Sequence, residues 1–302
     1  MRVLVTGSSG RIGRAIVVRL AAEHAVVGLD RTPSSTTAIV AALDDTARLR
    51  RALDGADAVV HVAALHAPHV GLESDDAFER VNVQGTETLA RLAVEAGVRT
   101  FVFTSTTALY GVAGAAGAPA RWIDETTTPQ PRTVYHRTKL AAERRLAAIA
   151  ERDDLAVTVL RMSRCFPEPA PAMALHRLSR GVDARDVADA HAAALDERPA
   201  AARERYRTFV ISGATPFLPE DVAELGSDAA RTLARRAPEL VDAFARRGWT
   251  MPATIDRVYS PARAASELGW RSVHGFAEVL AELDRRSSEV LPPGFPHSRP
   301  FP

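Results

Sequence analysis

The 302 residues include 38 lysines plus arginines against 37 aspartates plus glutamates, a formal net charge of +1, so there is no basic field to draw the chain to nucleic acid or to an anionic membrane, and neither partner is expected. At 46% hydrophobic the chain can bury a substantial core, and its one cysteine, Cys165, excludes an intramolecular disulfide or a multi-cysteine metal centre. A lone cysteine suits a reducing compartment, no basic-then-apolar leader opens the chain, and no run approaches the ~18 apolar residues of a membrane span, so a cytoplasmic address is expected.

The chain opens on a β-rich apolar run at 3–6, and similar runs recur at 25–29, 58–62, 100–104 and 156–160. Being short and apolar throughout, they predict parallel strands buried on both faces. Between them, leucine, valine and alanine at helical spacing predict helices over 11–22, 46–53, 75–96 and 134–152. Alternation at this rhythm predicts an α/β fold with a doubly wound parallel sheet, closed by a further strand at 206–212. The stretch 112–131, rich in glycine, alanine, threonine and proline, is too long for an ordinary connection and is expected to cover a substrate. Beyond about Phe217 the expected helices are short and broken, with an extended piece at 256–260, a terminal helix at 275–286 and an extended proline-rich tail at 291–302.

Thr6-Gly7-Ser8-Ser9-Gly10-Arg11-Ile12-Gly13 joins the first strand to the first helix. Glycines there let backbone amides approach a pyrophosphate at a helix N-terminus, so Gly7, Ser9, Gly10, Arg11, Ile12 and Gly13 are candidate dinucleotide contacts. Asp30 ends the second strand about 20 residues further on, where a carboxylate accepts from ribose hydroxyls and repels a 2′-phosphate. NAD is therefore expected over NADP, although the adjacent Arg31 could pair with such a phosphate. The expected organisation is a Rossmann domain over 1–165 to which 182–215 return, with 166–181 and 216–302 as a small, mainly helical substrate-binding cap.

Tyr135 and Lys139 lie four residues apart on a predicted helix and project from one face. A phenol is a poor base at neutral pH, but a nearby ammonium stabilises the phenolate. Lys139 is the only lysine in a chain that otherwise uses arginine for every basic side chain.

With His61-Val62-Ala63-Ala64, Asn82-Val83-Gln84-Gly85-Thr86, Ser105-Thr106-Thr107-Ala108-Leu109-Tyr110-Gly111 and Leu160-Arg161, these motifs resemble the extended short-chain dehydrogenase/reductase family, of the NAD-dependent epimerase/dehydratase type. The likeness covers roughly 1–212 well and the remainder loosely. It implies that Tyr135 is the general acid or base, that Lys139 lowers its pKa and holds the nicotinamide ribose, and that Thr106, or its near alternative Ser105, binds the substrate oxygen. It further implies cofactor contacts from Leu43, Ala63 and Ala64, a supporting position for Asn82 beside the cofactor, and a homodimer packed through 75–96 and 134–152.

Three departures bear on the reaction. Thr107 and Ala108 stand where the family's dehydratases carry an acidic pair, which disfavours loss of water. Arg164 stands where epimerases usually have an asparagine, and its guanidinium could hold a carboxylate or phosphate. Ala42 replaces a frequent aspartate. The short stretch between Phe166 and Gly181 and the run Arg161-x-x-x-Cys165-Phe166-Pro167-Glu168-Pro169 resemble the uronate dehydrogenase branch. Ser105, Thr106, Thr107, His66 and Arg164 are the candidate substrate contacts; the histidines lack metal-ligand spacing, so no metal is expected. The expected function is hydride transfer at a hydroxyl-bearing carbon of a small carbohydrate, as a 4-epimerase-like enzyme of nucleotide sugars or a related oxidoreductase. A uronate-type dehydrogenase is one alternative, and a non-catalytic NAD(P)-binding regulator is another of a different class.

Overall fold

The structure, a computed structural model, describes residues 1–111, 118–196 and 204–295. Its first part runs β1 (Arg2–Thr6), α1 (Arg11–Leu20), β2 (Ala25–Asp30), β3 (Ile39–Val40), α2 (Thr46–Leu53), β4 (Ala58–His61), α3 (Asp75–Phe78), α4 (Gly85–Glu95) and β5 (Thr100–Thr106). Then come β6 (Arg121–Ile123), α5 (Val134–Arg152), β7 (Ala156–Met162), α6 (Ala170–Ser179), α7 (Ala184–Asp196) and β8 (Tyr206–Ile211). The remainder is α8 (Val222–Ser227), α9 (Ala229–Arg236), α10 (Pro238–Arg246), β9 (Arg257–Tyr259), α11 (Ala262–Glu267) and α12 (Phe276–Asp284).

Seven strands form one parallel sheet in the order β3-β2-β1-β4-β5-β7-β8, the doubly wound arrangement expected from the alternation. Alternate residues of β1 show why the strands read as unbroken apolar runs. Val3 and Val5 pack with Ile16 of α1 and Val187 of α7 on one face, while Leu4 packs with Leu49 of α2, Leu89 of α4 and Leu146 of α5 on the other. A third apolar cluster joins α6 to the C-terminal helices through Met173, Phe217, Leu233, Phe244 and Val279. No helix among the described residues is long and apolar enough to cross a membrane.

Two differences from the sequence expectation have local causes. The helix expected over 75–96 is interrupted by a π-helical turn at Glu79–Gln84. There Asn82, buried, accepts from the Leu65 amide at 2.8 Å and donates to the Leu65 carbonyl at 2.9 Å and to Thr138 Oγ1 at 3.1 Å. The stretch 112–131 is not merely a loop, because β6 within it pairs in parallel with β9 of the C-terminal part; residues 112–117 of that stretch, like 296–302 of the tail, lie outside the described residues.

Candidate active site

The sheet's strand order reverses between β1 and β4, and the crevice above such a point is where open α/β sheets bind ligands. A cleft of about 860 Å³ occupies it, running from the glycine loop across the C-terminal ends of β2, β4, β5 and β7. Gly7 adopts φ +73°, and a β-carbon there would lie 2.6 Å from the Ala63 amide nitrogen, so glycine lets the loop close against the end of β4. At Gly13 a β-carbon would sit 2.0 Å from the Gly7 carbonyl oxygen. Gly10 is the N-cap of helix α1, with no side chain capping the helix's amides and no acid in its first turn, leaving those N–H groups available to a phosphate. Asp30 lines the cleft at the end of β2, held by the amides of Ser9 at 3.0 Å and Thr32 at 2.9 Å. These features fit the pyrophosphate and ribose of a dinucleotide. Accordingly, Gly13→Ala is expected to drive the loop off helix α1 and to weaken NAD binding by about tenfold or more, a cost of ~1.4 kcal/mol, read by calorimetric titration with NAD. An unchanged affinity would count against this placement of the cofactor.

Of the other candidate cofactor contacts, Arg11, Ile12, Arg31, Leu43, Ala63 and Ala64 line the cleft. Ser9 and Asn82 do not line it. The Ser9 hydroxyl turns into the β2–β3 connection, sharing hydrogen bonds with Ser34 and Thr37, and Ser9 reaches the site only through its amide on Asp30. Asn82 clamps the Leu65 backbone, which itself forms a cleft wall.

Thr133 caps α5, its hydroxyl accepting from the His136 amide at 3.3 Å, and so starts the helix two residues before Tyr135. Tyr135 and Lys139 then face the cleft beside Thr104, Ser105 and Thr106 at the end of β5. Ser105 has the strand parity of Phe101 and Phe103 and faces α5, where its hydroxyl donates to Glu143 Oε1 at 2.5 Å. Thr106, of the opposite parity, lines the cleft with Tyr135, whose phenol pKa it acts to lower, and its oxygen accepts from the Ala108 amide at 3.1 Å. Geometry thus separates two residues that the sequence left as near alternatives.

The Lys139 ammonium donates to the Thr104 carbonyl at 2.7 Å and sits 3.9 Å from the centre of the Phe103 ring. Burial pulls its pKa down to about 7, opposed by the charge of Glu143. Burial also pushes the Tyr135 phenol up to about 12, with the Thr106 hydrogen bond acting the other way. Desolvation thus sets the direction for the phenol in this structure, and the ammonium is directed at a carbonyl and a ring face.

Helical spacing held a further signal. Glu143 follows Lys139 by four residues, as Lys139 follows Tyr135, and its buried carboxylate receives Arg161 Nε at 3.1 Å and NH2 at 2.6 Å. Arg161 in turn donates to the Tyr110 hydroxyl at 2.8 Å. Burial works against the Arg161 charge, but bonding and attraction to Glu143 more than offset it and raise its pKa.

His66, Thr107 and Arg164 also line the cleft. Burial first, then the charges of His69 and Lys139, hold His66 down to about 4, so it is neutral at pH 7. Sequence reasoning did not single out Asp44, Arg180, Arg257 or Tyr259, which complete the cleft walls from the β3–α2 connection, the residue after α6, and β9. Only the folded chain brings the last three to β5.

Fold and site together define a dinucleotide-binding α/β protein with a threonine, tyrosine and lysine set at the cofactor cleft. The chain belongs to the NAD dependent epimerase/dehydratase family, whose sequence model matches residues 3–178. It is 29% identical over 187 residues to the NAD-dependent glucose-6-phosphate dehydrogenase of Haloferax volcanii, covering 56% of this chain and 70% of that one. With the dTDP-D-glucose 4,6-dehydratase of Mus musculus it shares 28% identity over 266 residues, 80% of this chain and 72% of the relative. The solved structure of MoeE5 in complex with UDP-glucose and NAD superposes with a TM-score of 0.68 at 25% identity, over 95% of this chain and 99% of that one.

Proposed function

We propose that the protein catalyses NAD-dependent hydride transfer at a hydroxyl-bearing carbon of a carbohydrate, as a 4-epimerase-like enzyme of nucleotide sugars or a closely related sugar oxidoreductase. The observation that carries this reading is the convergence of Thr106, Tyr135 and Lys139 on one cleft with the glycine loop and Asp30. Thr106 holds the sugar oxygen, and Tyr135 takes the hydroxyl proton as the carbonyl forms. Lys139 supplies the positive charge beneath them and a donor for the nicotinamide ribose. NAD, when bound, supplies the acceptor for the hydride leaving carbon.

Net dehydrogenation, of uronate or related type, is the second reading. It is favoured by the similarity to a relative named as a dehydrogenase of a sugar phosphate and by Arg164 on the cleft wall. Thr107 and Ala108 offer no acid or base for elimination, so the reading does not extend to dehydration.

The deciding experiment denatures the purified protein, counts NAD released per chain by mass spectrometry, and assays the native protein with added NAD. Near-stoichiometric NAD is expected of an epimerase, which regenerates its cofactor within each cycle. An empty protein that reduces added NAD with sugars or sugar acids would replace the epimerase by the dehydrogenase. Failure of both to turn over any sugar would overturn hydride transfer itself.

A further inference from the structure

The phosphate end of the cleft is bridged by a side chain. Arg11, the first residue of α1, and Cys165, beyond the end of β7, both line the cleft. Arg11 NH1 donates to the Cys165 carbonyl at 2.8 Å and to its Sγ at 3.2 Å. A bond between two lining residues on different elements ties those two sides of the cleft together. NH2 of the same guanidinium donates to the Glu289 carboxylate, and Nε is buried without a partner among the described residues. Cys165 and Glu289 therefore hold the guanidinium, while the amides of α1 remain for the pyrophosphate.

Glu289 does not line the cleft, and the C-terminal segment that carries it is fixed at both ends. Helix α12 stops with the Ser287 amide on the Glu282 carbonyl and the Arg286 amide on the Leu283 carbonyl, each at 2.9 Å. Arg286 adopts φ 58° there, the left-handed conformation of this helix ending, at a position where glycine is favoured. Beyond Glu289, Val290 is buried in the third apolar cluster. The Leu291 amide then donates to the Glu168 carbonyl at 2.9 Å, and its carbonyl accepts from the Ala170 amide at 2.9 Å, one of the N–H groups that the first turn of α6 leaves unpaired. The segment thus runs from α12 to the start of α6, passing Arg11 on the way.

We infer that this segment gates cofactor exchange: Arg11 closes the phosphate end of the cleft beside the bound dinucleotide, and Glu289 holds it closed. For NAD to enter or leave, Arg11 releases Cys165 and swings out, which also breaks its pair with Glu289. Such a gate slows entry and exit alike, so it lengthens residence while leaving affinity nearly unchanged. The side chains of the pair are 29% and 53% exposed, so ordinary thermal motion opens it. The inference rests on NAD occupying this cleft and not on which sugar reaction follows, although slow exchange suits the internal redox cycle of an epimerase.

The test is stopped-flow fluorescence of the full chain with NADH and no sugar. Association is read from the dependence on NADH concentration, and dissociation from displacement by excess NAD. Glu289→Ala cuts the pair at a residue outside the cleft. Leu291→Pro keeps both charges but removes the amide that fixes the segment to Glu168. Each variant is expected to raise both rates by roughly two- to fivefold, the scale of one half-exposed ion pair or hydrogen bond, with Kd close to wild type. Faster association with slower dissociation in Glu289→Ala would mean that the carboxylate only repels the pyrophosphate. Faster dissociation alone would mean that the segment adds a contact and no gate. Either pattern, or unchanged rates in Glu289→Ala whatever Leu291→Pro does, overturns the inference. Gated exchange in a protein that turns over no sugar would leave the gate standing and sink the hydride-transfer reading instead.

Discussion

Tyr135→Phe is expected to lower turnover by roughly 10²–10⁴-fold, the usual contribution of a positioned proton-transfer group, while NAD affinity stays close to wild type. The substitution removes the hydroxyl and leaves the ring in its place on the first turn of α5, facing the cleft with Thr106. Steady-state kinetics and NAD titration of the same preparation separate the two effects. Unchanged turnover would exclude Tyr135 as the proton acceptor, and NAD binding without turnover in the wild type as well would favour a regulatory protein. The pH dependence follows from the same geometry. Burial holds the phenol up to about 12, so at neutral pH the phenolate is a minor form whose fraction rises tenfold per pH unit. Lys139, pulled down to about 7, begins to lose its charge in that range. The value of kcat/KM for oxidation should therefore climb with a slope near one on the acid side, then flatten once each gain in phenolate is matched by a loss of ammonium. A profile that keeps climbing through neutrality would show that the Lys139 charge is not needed.

Much of this was legible in the sequence because it depends on contacts between near neighbours or on period. The strands of the large sheet announce themselves as apolar runs since both faces are covered by helices, and the boundaries of α2 and α5 follow directly from their apolar spacing. Two-residue β3 was missed because so short a strand has no period to read; it forms by pairing Leu29 and Asp30 of β2 with Ile39 and Val40. Helices α6 and α7 also went unassigned within 166–215, although α7 packs its alanine-rich face on the sheet beside α1. The interruption at Asn82 is invisible to periodicity, because it arises from the Leu65 backbone lying against the helix. In the site, the glycine loop, Asp30, Tyr135 and Lys139 were readable from local chemistry. Seeing that the Ser105 hydroxyl is engaged by Glu143 required knowing which strand face meets α5, and placing Arg164, Arg180 and Arg257 in one cleft required three distant segments to be brought together.

Glu143→Gln is expected to destabilise the fold and to shift the pH profile, and the second effect distinguishes positioning from simple support. Its carboxylate and the Arg161 guanidinium are both nearly inaccessible, so removing one charge leaves the other buried without its counterion, at a cost of about 3–5 kcal/mol. Thermal unfolding should register this as a fall of roughly 2–4 °C for each kcal/mol lost. Arg161→Met breaks the same pair and should destabilise to a similar degree, here by stranding the carboxylate. The two variants diverge at Lys139. In wild type the Glu143 charge opposes the desolvation that pulls Lys139 down to about 7, so Glu143→Gln removes the group that helps retain its proton, and the bend in kcat/KM should move to lower pH. Arg161→Met leaves that carboxylate unneutralised, so Lys139 holds its proton more strongly and the bend should move to higher pH. A bend at one pH in wild type and both variants would mean that the pair only holds β7 against α5. Opposite displacements, against matched losses of stability, would establish that Glu143 sets the charge state of the lysine beneath the reacting hydroxyl.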